Sequence, residues 1–183
     1  MKNRIELAEH FRDLGFTKGV EVGVCDGRYS QILMQKIPGL HLIGIDPYAS
    51  YHEYSDFRRQ PTLDDKLKTA RERLIEYKNY SLILGWSVEV ASFLPDNFFD
   101  FVFIDANHKY QYVLEDIRAW YPKVRKGGIL SGHDYYESES GRMGVVKAVN
   151  EFVAEKGLQL QTTEWDETGH RDDRQPDFYF HKV

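Results

Sequence analysis

The chain is short of cysteine, of long apolar runs and of net positive charge, and each shortage excludes a class of protein. Cys25 is the single cysteine among 183 residues, so no disulfide can form within the chain, which favours a reducing compartment. No apolar run approaches the roughly 18 residues that a membrane-spanning helix needs. The formal net charge of -5 argues against nucleic-acid binding through bulk electrostatics.

The amino terminus and the overall composition indicate an ordinary globular protein. The first residues, MKNRIELAEHF, are amphipathic and carry acidic side chains, which a secretory signal peptide does not. Hydrophobic residues make up 42% of the chain and charged residues 29%, and this length is typical of one domain with a sizeable core. We therefore expect a cytoplasmic protein with no membrane or nucleic-acid partner.

Short apolar runs of strand type alternate with segments whose apolar residues have helical spacing. This alternation predicts βαβ units in a Rossmann-like, doubly wound α/β fold with helices on both faces of a mostly parallel sheet. The last two of the seven predicted strands have no helix between them, so we expect an antiparallel final strand. The predicted strands are Val20–Val24, Leu40–Ile45, Tyr80–Leu84, Phe99–Ile104, Ile129–Gly132, Leu158–Thr162 and Phe178–His181.

The same pattern predicts a single domain with three parts. Residues 1–16 hold an amino-terminal helix, residues 18–156 form the cofactor-binding and catalytic core, and residues 158–183 supply a carboxyl-terminal strand pair. Within the core, Gly127 and Gly128 are expected to break the chain just before the fifth strand. The predicted helices cover residues 5–14, 29–36, 63–74, 110 to about 121, and 145–156.

The segment Glu21–Gly27 joins the first strand to the next helix and contains glycines that allow a ligand to approach the backbone. A dinucleotide-binding turn would read G-x-G-x-x-G, but Cys25 stands in the middle position. The turn alone is therefore equally compatible with an ordinary strand-to-helix connection. The second strand supports the ligand-binding interpretation, because it ends in Asp46, 19 residues after Gly27, where a carboxylate can accept both hydroxyls of a ribose.

Two polar clusters follow the fourth and fifth predicted strands. Asp105, Asn107 and His108 come after the fourth strand, and His133 and Asp134 come after the fifth. The carboxyl ends of parallel strands open onto a shared crevice where ligands bind. Carboxylates and imidazoles at neighbouring strand ends can hold a divalent cation or deprotonate a substrate hydroxyl.

Four motifs in this order resemble class I S-adenosylmethionine-dependent methyltransferases. They are E-x-G…G at Glu21–Gly27, G-x-D at Gly44–Asp46, F-x-F-I-D-x-x-H-x-Y-x-x-V-x-x-D at Phe101–Asp116, and G-G-x-x-x-x-H-D at Gly127–Asp134. The resemblance covers about residues 18–156, and the part from the fourth strand onward is the most specific. It implies the Rossmann-like fold and a small O-methyltransferase.

The resemblance also implies a role for each cofactor-binding position. Glu21 and the backbone at Gly23 and Gly27 would hold the methionine part of S-adenosylmethionine, and Asp46 would bind the ribose. Asp105 would face the sulfonium and the acceptor. Three residues after the third strand would lie along the adenine, although a core position is equally compatible with the tryptophan: Gly85, Trp86 and Ser87.

In metal-dependent catechol-type O-methyltransferases, acidic metal ligands follow the fourth and fifth strands, and a base, often lysine, lies three residues after the first acid. The similarity implies Asp105, His133 and Asp134 as metal ligands and His108 as the catalytic base, with Asp105 also in the catalytic centre. This chain departs from that pattern by a histidine for an acid at 133 and a histidine for lysine at 108. Oxygen ligands favour Mg²⁺, whereas imidazole also accepts softer ions.

Several alternatives stay open at this point. His108 could cap the following helix, His133-Asp134 could form a turn, and a metal-free enzyme could use either histidine as base. The favoured function is methyl transfer to a hydroxyl of a small molecule with help from a divalent metal. The alternatives are a metal-free N-methyltransferase, an NAD-dependent oxidoreductase and a non-catalytic cofactor-binding domain. Loops at residues 48–62, 135–143 and 164–176 could line the acceptor pocket or form a contact in a homo-oligomer.

Overall fold

The computed structural model describes residues 1–51, 59–137 and 144–183, and the strands in these ranges form one sheet of seven strands. Its order is β3-β2-β1-β4-β5-β7-β6. The first five strands are parallel, and β7 runs antiparallel to both β5 and β6. The predicted fold class is confirmed. The strands are β1 Lys18–Val22, β2 His41–Asp46, β3 Tyr80–Leu84, β4 Phe99–Ile104, β5 Val124–Gly132, β6 Gln161–Thr162 and β7 Phe178–His181.

Six α-helices in the described ranges cover the sheet, and none of them has the length and apolar character that a membrane span requires. The helix α4 was not predicted, because seven residues are too few to show a helical period. Two short 3-10 turns lie at Tyr121–Lys123 and Arg171–Asp173. The helices are α1 Arg4–Asp13, α2 Arg28–Lys36, α3 Gln60–Leu74, α4 Ser87–Phe93, α5 Tyr110–Trp120 and α6 Val145–Lys156.

The fully buried central strand β4 separates two layers of core. Successive side chains of a strand point to opposite faces. Phe101 and Phe103 belong to the cluster that contains apolar residues of α1 and α2. Val102 and Ile104 belong to the cluster that contains apolar residues of α5 and α6. This alternation explains why β4 reads as a continuous apolar run with helices on both sides.

The expected break at Gly127 and Gly128 is wrong, because β5 runs through both glycines from Val124 to Gly132. The pairing of β5 with β4 shifts register between Phe99 and Phe101, so the glycines accommodate a bulge inside the strand. At Gly128 a Cβ atom would lie 2.5 Å from the carbonyl oxygen of Asp100. Of the predicted sixth strand, only the last two residues pair with β7.

The sheet order reverses between β1 and β4, which neighbour each other although two strands separate them in the chain. At such a switch point the connections leave towards opposite sides, and a crevice opens outside the carboxyl ends of the strands. The glycine-containing turn after β1 and the polar cluster after β4 therefore meet at this crevice.

Candidate active site

The turn after β1 holds three strand ends together around Gly23. Its N–H group donates to the carbonyl of Ile45 at the end of β2, at 2.8 Å. Gly23 has φ of 89°, and a Cβ atom there would lie 1.9 Å from the carbonyl oxygen of Asp105. Only glycine fits this left-handed, crowded position, so the close approach of β1 and β4 depends on it.

Asp46, the predicted ribose ligand, anchors the same turn. Its carboxylate accepts the backbone N–H groups of Val24 and Cys25, both at 3.0 Å, and that of Tyr48 at 2.8 Å. Burial raises the pKa of Asp46 in spite of these three hydrogen bonds. A carboxylate has about four acceptor positions, so capacity for a further donor remains.

A narrow cavity of about 60 Å³ lies beside Asp46. Asp46 and Ser87 line it together with Gly23 and Asp105. Tyr51 also lines it, and its hydroxyl accepts from the Asn107 side-chain amide at 2.9 Å. The structure therefore brings four of the predicted cofactor-binding residues to one wall.

A second cavity, of about 510 Å³, also has Gly23 in its wall. Its lining includes the predicted metal ligands, the predicted base and one buried acid, Glu21. The Glu21 carboxyl accepts the hydroxyl of Ser30, and burial raises the pKa of Glu21 to about 8. Among the predicted site residues, the following line this cavity: Glu21, Gly23, Asp105, His108, His133 and Asp134.

The imidazole of His108 lies between the carboxylates of Asp105 and Asp134. Its Nε2 is 3.0 Å from Asp134 Oδ2 and 3.5 Å from Asp105 Oδ1. One potential ligand atom from each of these three residues lies within 4.8 Å of the others. Two carboxylates and one imidazole at this spacing fit a divalent cation.

His133, which also lines this cavity, pairs with the buried Asp177. Its Nδ1 lies 2.7 Å from Asp177 Oδ1, and its Nε2 is 3.9 Å from Asp134 Oδ1. Within the described ranges it is not part of the group of three potential ligands. Burial lowers the pKa of His133, but the hydrogen bond to Asp177 and the charge of Asp105 raise it above its ordinary value. The pair fixes the orientation of the ring beside the cavity.

Arg4 was not among the predicted site residues, yet its buried guanidinium reaches the active-site crevice from α1. Its Nη1 donates to Asp105 Oδ2 at 3.0 Å, and its Nε donates to Asp173 Oδ1 at 2.6 Å. Asp173 also accepts from Arg28 Nη1 at 2.6 Å. One signal was available: Arg4 lies three residues before Leu7, on the apolar face of α1, where an arginine indicates a buried ion pair.

These neighbours determine the charge of Asp105. Burial alone would raise the pKa of its carboxyl group. The hydrogen bond from His108 and the positive charges of His133 and Arg4 hold the pKa of Asp105 well below its ordinary value instead. Asp105 is therefore a carboxylate at neutral pH.

Three predicted cofactor residues lie beside the two cavities rather than on their walls. Gly27 begins α2 with φ of 77°, and the N–H of Gly85 donates to the carbonyl of Asp46 at 3.4 Å. Trp86 is 41% exposed and contacts the ring of Tyr51 edge-on, with centroids 5.1 Å apart. Much of two predicted acceptor loops, residues 52–58 and 138–143, lies outside the described residues.

Comparison with known proteins identifies the family. A family described as a methyltransferase domain matches residues 20–135. An uncharacterised protein of Acanthamoeba polyphaga mimivirus is 29% identical over 136 residues, which are 74% of this chain. The chain spans 59% of the length of that curated relative.

Solved structures share the fold at low sequence identity. An O-methyltransferase from Bacillus cereus in complex with S-adenosylhomocysteine has a TM-score of 0.70 and 16% identity, covering 98% of this chain and 80% of the other. The N-methyltransferase NodS from Bradyrhizobium japonicum has a TM-score of 0.64 and 14% identity, covering 98% of this chain and 94% of the other. Since the family match spans more than half of the chain and includes the glycine turn and the polar strand ends, this protein belongs to the family described as a methyltransferase domain.

Proposed function

We propose that this protein transfers the methyl group of S-adenosylmethionine to a hydroxyl of a small molecule, with a divalent cation beside the acceptor. One observation carries the proposal: Asp105, His108 and Asp134 converge within 4.8 Å on the wall of a 510 Å³ cavity that adjoins the glycine turn. The cavity has the size of a small-molecule site. The family membership favours methyl transfer over the NAD-dependent alternative.

The cofactor site fits the two cavities and the turn between them. Asp46 has acceptor capacity for one further donor, such as a ribose hydroxyl, and Ser87 lines the same narrow cavity. Glu21 and Gly23 line the wider cavity, where the methionine part would lie. Asp105 lines both cavities, so its carboxylate would lie beside the reacting end of the cofactor.

Either His108 or His133 could be the histidine ligand of the metal. The resemblance implies His133 with Asp105 and Asp134, whereas the distances group His108 with the two acids. A divalent cation held here would lower the pKa of a bound hydroxyl and orient it. The histidine that is not a ligand would remain available to accept the proton, because an imidazole with an ordinary pKa of about 6.5 is suited to that task near neutrality.

The contact of Arg4 with Asp105 supports a second candidate, a metal-free methyltransferase that acts on an amine or a hydroxyl. At 3.0 Å the guanidinium already supplies Asp105 with a cationic partner. An amine acceptor needs less help with deprotonation than a hydroxyl does, so His108 alone would be sufficient. The two candidates differ in whether a cation binds and in which atom is methylated.

Binding measurements test the cofactor and the metal separately from turnover. S-adenosylhomocysteine should bind the purified protein in calorimetry, and Mn²⁺, followed by electron paramagnetic resonance, should bind at one site. Asp134→Asn should weaken Mn²⁺ binding at least tenfold. If the ion is held by Asp105, His108 and Asp134, His108→Ala should weaken Mn²⁺ binding to the same extent. If His133 is the ligand instead, His133→Ala should have this effect. The exposed His41→Ala serves as the matched control.

Turnover identifies the acceptor. Transfer of an isotope-labelled methyl group to a panel of small phenols, sugars and amines, with product analysis by mass spectrometry, separates O- from N-methylation. If His108 is the base, His108→Ala should lower the chemical step by roughly 10²–10⁴ and leave the affinity for S-adenosylhomocysteine unchanged. Activity that survives exhaustive EDTA treatment would exclude the metal. Absence of any binding of S-adenosylhomocysteine to the parent would overturn the proposed function.

A further inference from the structure

Arg28 lines the wider cavity and has no role in the chemistry described so far. It is the first residue of α2, directly after Gly27, and its side chain is partly buried. Its Nη1 and Nη2 donate to Oδ1 and Oδ2 of Asp173, at 2.6 and 2.5 Å. Two parallel hydrogen bonds between a guanidinium and a carboxylate fix the orientation of the guanidinium plane. Arg28 is therefore a cation that is held in one place at the wall of the cavity.

The guanidinium of Arg28 has capacity for a second anion. A guanidinium has five N–H groups, and Asp173 accepts from two of those of Arg28. Within the described ranges, the side chain of Arg28 forms no other hydrogen bond or ion pair. Asp173 also accepts from Nε of Arg4 at 2.6 Å, so its single charge is shared between two guanidiniums. Three N–H groups of Arg28 and part of its charge are thus left for a ligand.

The other arginine and lysine side chains that line this cavity are less suited to bind an anion. Arg4 already donates to two carboxylates and a backbone carbonyl. Lys66 Nζ lies 3.2 Å from a carboxylate oxygen of the glycine turn. The side chain of Arg171 is 87% exposed. Arg28 combines a fixed position with donors that its partner does not use.

Arg28 lies close to the residues that would hold the methionine part of the cofactor. Glu21 and Gly23 line the same cavity. Ser30, two residues after Arg28 in the first turn of α2, donates its hydroxyl to the Glu21 carboxyl group. The methionine part ends in an ammonium group and a carboxylate, which need partners of opposite charge. An acid such as Glu21 can accept from the ammonium group, whereas the carboxylate needs a cation.

We propose that Arg28, whose guanidinium is held by Asp173, binds the carboxylate of the methionine part of S-adenosylmethionine. The proposal rests on the proposed function, because it needs this cofactor in the crevice. It makes Arg28 a residue that determines specificity, since an adenosyl compound without the carboxylate cannot form the charge-assisted contact. Such a compound should bind more weakly than one that has the whole amino-acid end.

Two ligands that differ by one carboxylate isolate this contact. S-adenosylhomocysteine carries the group, and 5′-deoxy-5′-(3-aminopropylthio)adenosine is the same molecule without it. In calorimetry the parent should bind S-adenosylhomocysteine at least tenfold more tightly than the analogue. Arg28→Met should weaken the binding of S-adenosylhomocysteine at least tenfold and that of the analogue less than twofold. Arg12→Met, which removes an exposed arginine of α1, is the matched control and should bind both ligands as the parent does.

The ratio of the two affinities separates recognition of the carboxylate from a structural role. If Arg28 only maintains the shape of the cavity, Arg28→Met should weaken both ligands by the same factor, and that result overturns the proposal. Parental affinity of Arg28→Met for S-adenosylhomocysteine overturns it as well. Lys66→Met should leave the ratio unchanged. Loss of the ratio in the Lys66 variant but not in the Arg28 variant would assign the carboxylate to Lys66 and contradict the proposal.

A second variant covers the case in which Arg28→Met does not fold, as judged by near-ultraviolet circular dichroism. Arg28→Lys keeps the charge, but a single ammonium group cannot offer parallel hydrogen bonds to Asp173 and further donors to the ligand. The ratio of the two affinities should therefore fall at least threefold, and an unchanged ratio overturns the proposal. A parent that binds neither ligand overturns it together with the proposed function.

Discussion

At the scale of single residues, the site depends on a few carboxylates whose neighbours define their roles. Asp46 is the last residue of β2 and Asp105 directly follows β4, but their partners differ. Asp46 accepts three backbone N–H groups, whereas Asp105 lies between Arg4 and His108. The first arrangement orders a turn, and the second keeps a charge in the crevice.

The carboxylate of Asp46 gives the first prediction. Asp46→Ala should weaken the binding of S-adenosylhomocysteine by about 1–3 kcal/mol, because a hydrogen bond to a charged group is lost. The three backbone donors of the turn lose their acceptor as well, so the loss should lie towards the upper end. Calorimetry with Asp13→Ala, an exposed acid in α1, provides the control. Unchanged affinity in the Asp46 variant would remove this residue from the site.

The crowding at Gly23 gives a second prediction at the same scale. Gly23→Ala should destabilise the protein by roughly 3 kcal/mol or more, because its Cβ would lie 1.9 Å from the Asp105 carbonyl. Gly39 has a similar φ of 79°, but no atom lies within 4 Å of the position that a Cβ would take there. Gly39→Ala should therefore cost only the backbone strain, about 1 kcal/mol. Urea denaturation of both variants measures the difference, and equal losses would show that crowding is unimportant at Gly23.

At the scale of secondary-structure elements, the packing of α4 on α5 places an ionisable group in the core. Burial raises the pKa of Asp116 from 3.8 to about 7, against the hydrogen bond from Ser87. The unfolded chain loses this proton near pH 4, while the folded protein keeps it until about pH 7. Between these values the folded state binds more protons, so this group lowers the free energy of unfolding as the pH rises.

The third prediction follows from this fall in unfolding free energy with rising pH. In the parent, titration of Asp116 should lower the free energy of unfolding by roughly 4 kcal/mol between pH 4 and pH 7. Asp116→Asn has no such titrating group and should not show this loss. The variant should therefore gain stability relative to the parent as the pH rises through this window and keep that gain above it. Other groups titrate here, including Glu21, so the measurement is the difference between parent and variant in urea denaturation across the pH range. A difference that does not change with pH would contradict the prediction.

At the scale of the whole molecule, the two ends of the described chain meet in the site. Arg4 in α1 contacts Asp105, which lies 101 residues further along, and Asp173, 169 residues away. The carbonyl of Asp172 accepts from the same guanidinium. The segments predicted to lie outside the catalytic core, residues 1–16 and 158–183, thus help to form the wall of the wider cavity.

The fourth prediction measures this connection. Arg4→Met should lower the free energy of unfolding by about 3–5 kcal/mol, because removing one partner leaves buried carboxylates less well compensated. Arg12→Met, which breaks an exposed pair with Asp13 on the same helix, should change it by no more than about 0.5 kcal/mol. Urea denaturation of the two variants provides the comparison. Equal small effects would show that the buried network contributes little to stability.

The order of the strands and helices could be predicted from the sequence, and so could most of the positions where polar residues follow a strand. Hydrophobic periodicity is a local property, and the bounds predicted for β3, β4 and β7 agree with the structure. The short helix α4 and the continuation of β5 through two glycines were not predicted, because seven residues show no helical period and glycine usually marks a break. Glu21, Gly23, Asp46, Asp105 and His108 were predicted as site residues because each lies near a strand end, and the structure places all five in the walls of the two cavities.

The partners of these residues were decided only by the tertiary structure. His133 meets Asp177 because β5 and β7 pair in a register that puts Gly132 opposite Phe178. Arg4 meets Asp105 because α1 packs on the same face of the sheet as α2. Local sequence determines which residues end a strand or face the core, since those depend on spacing. Which charge neutralises which carboxylate depends on contacts between segments that are distant in sequence, and these exist only in the folded protein.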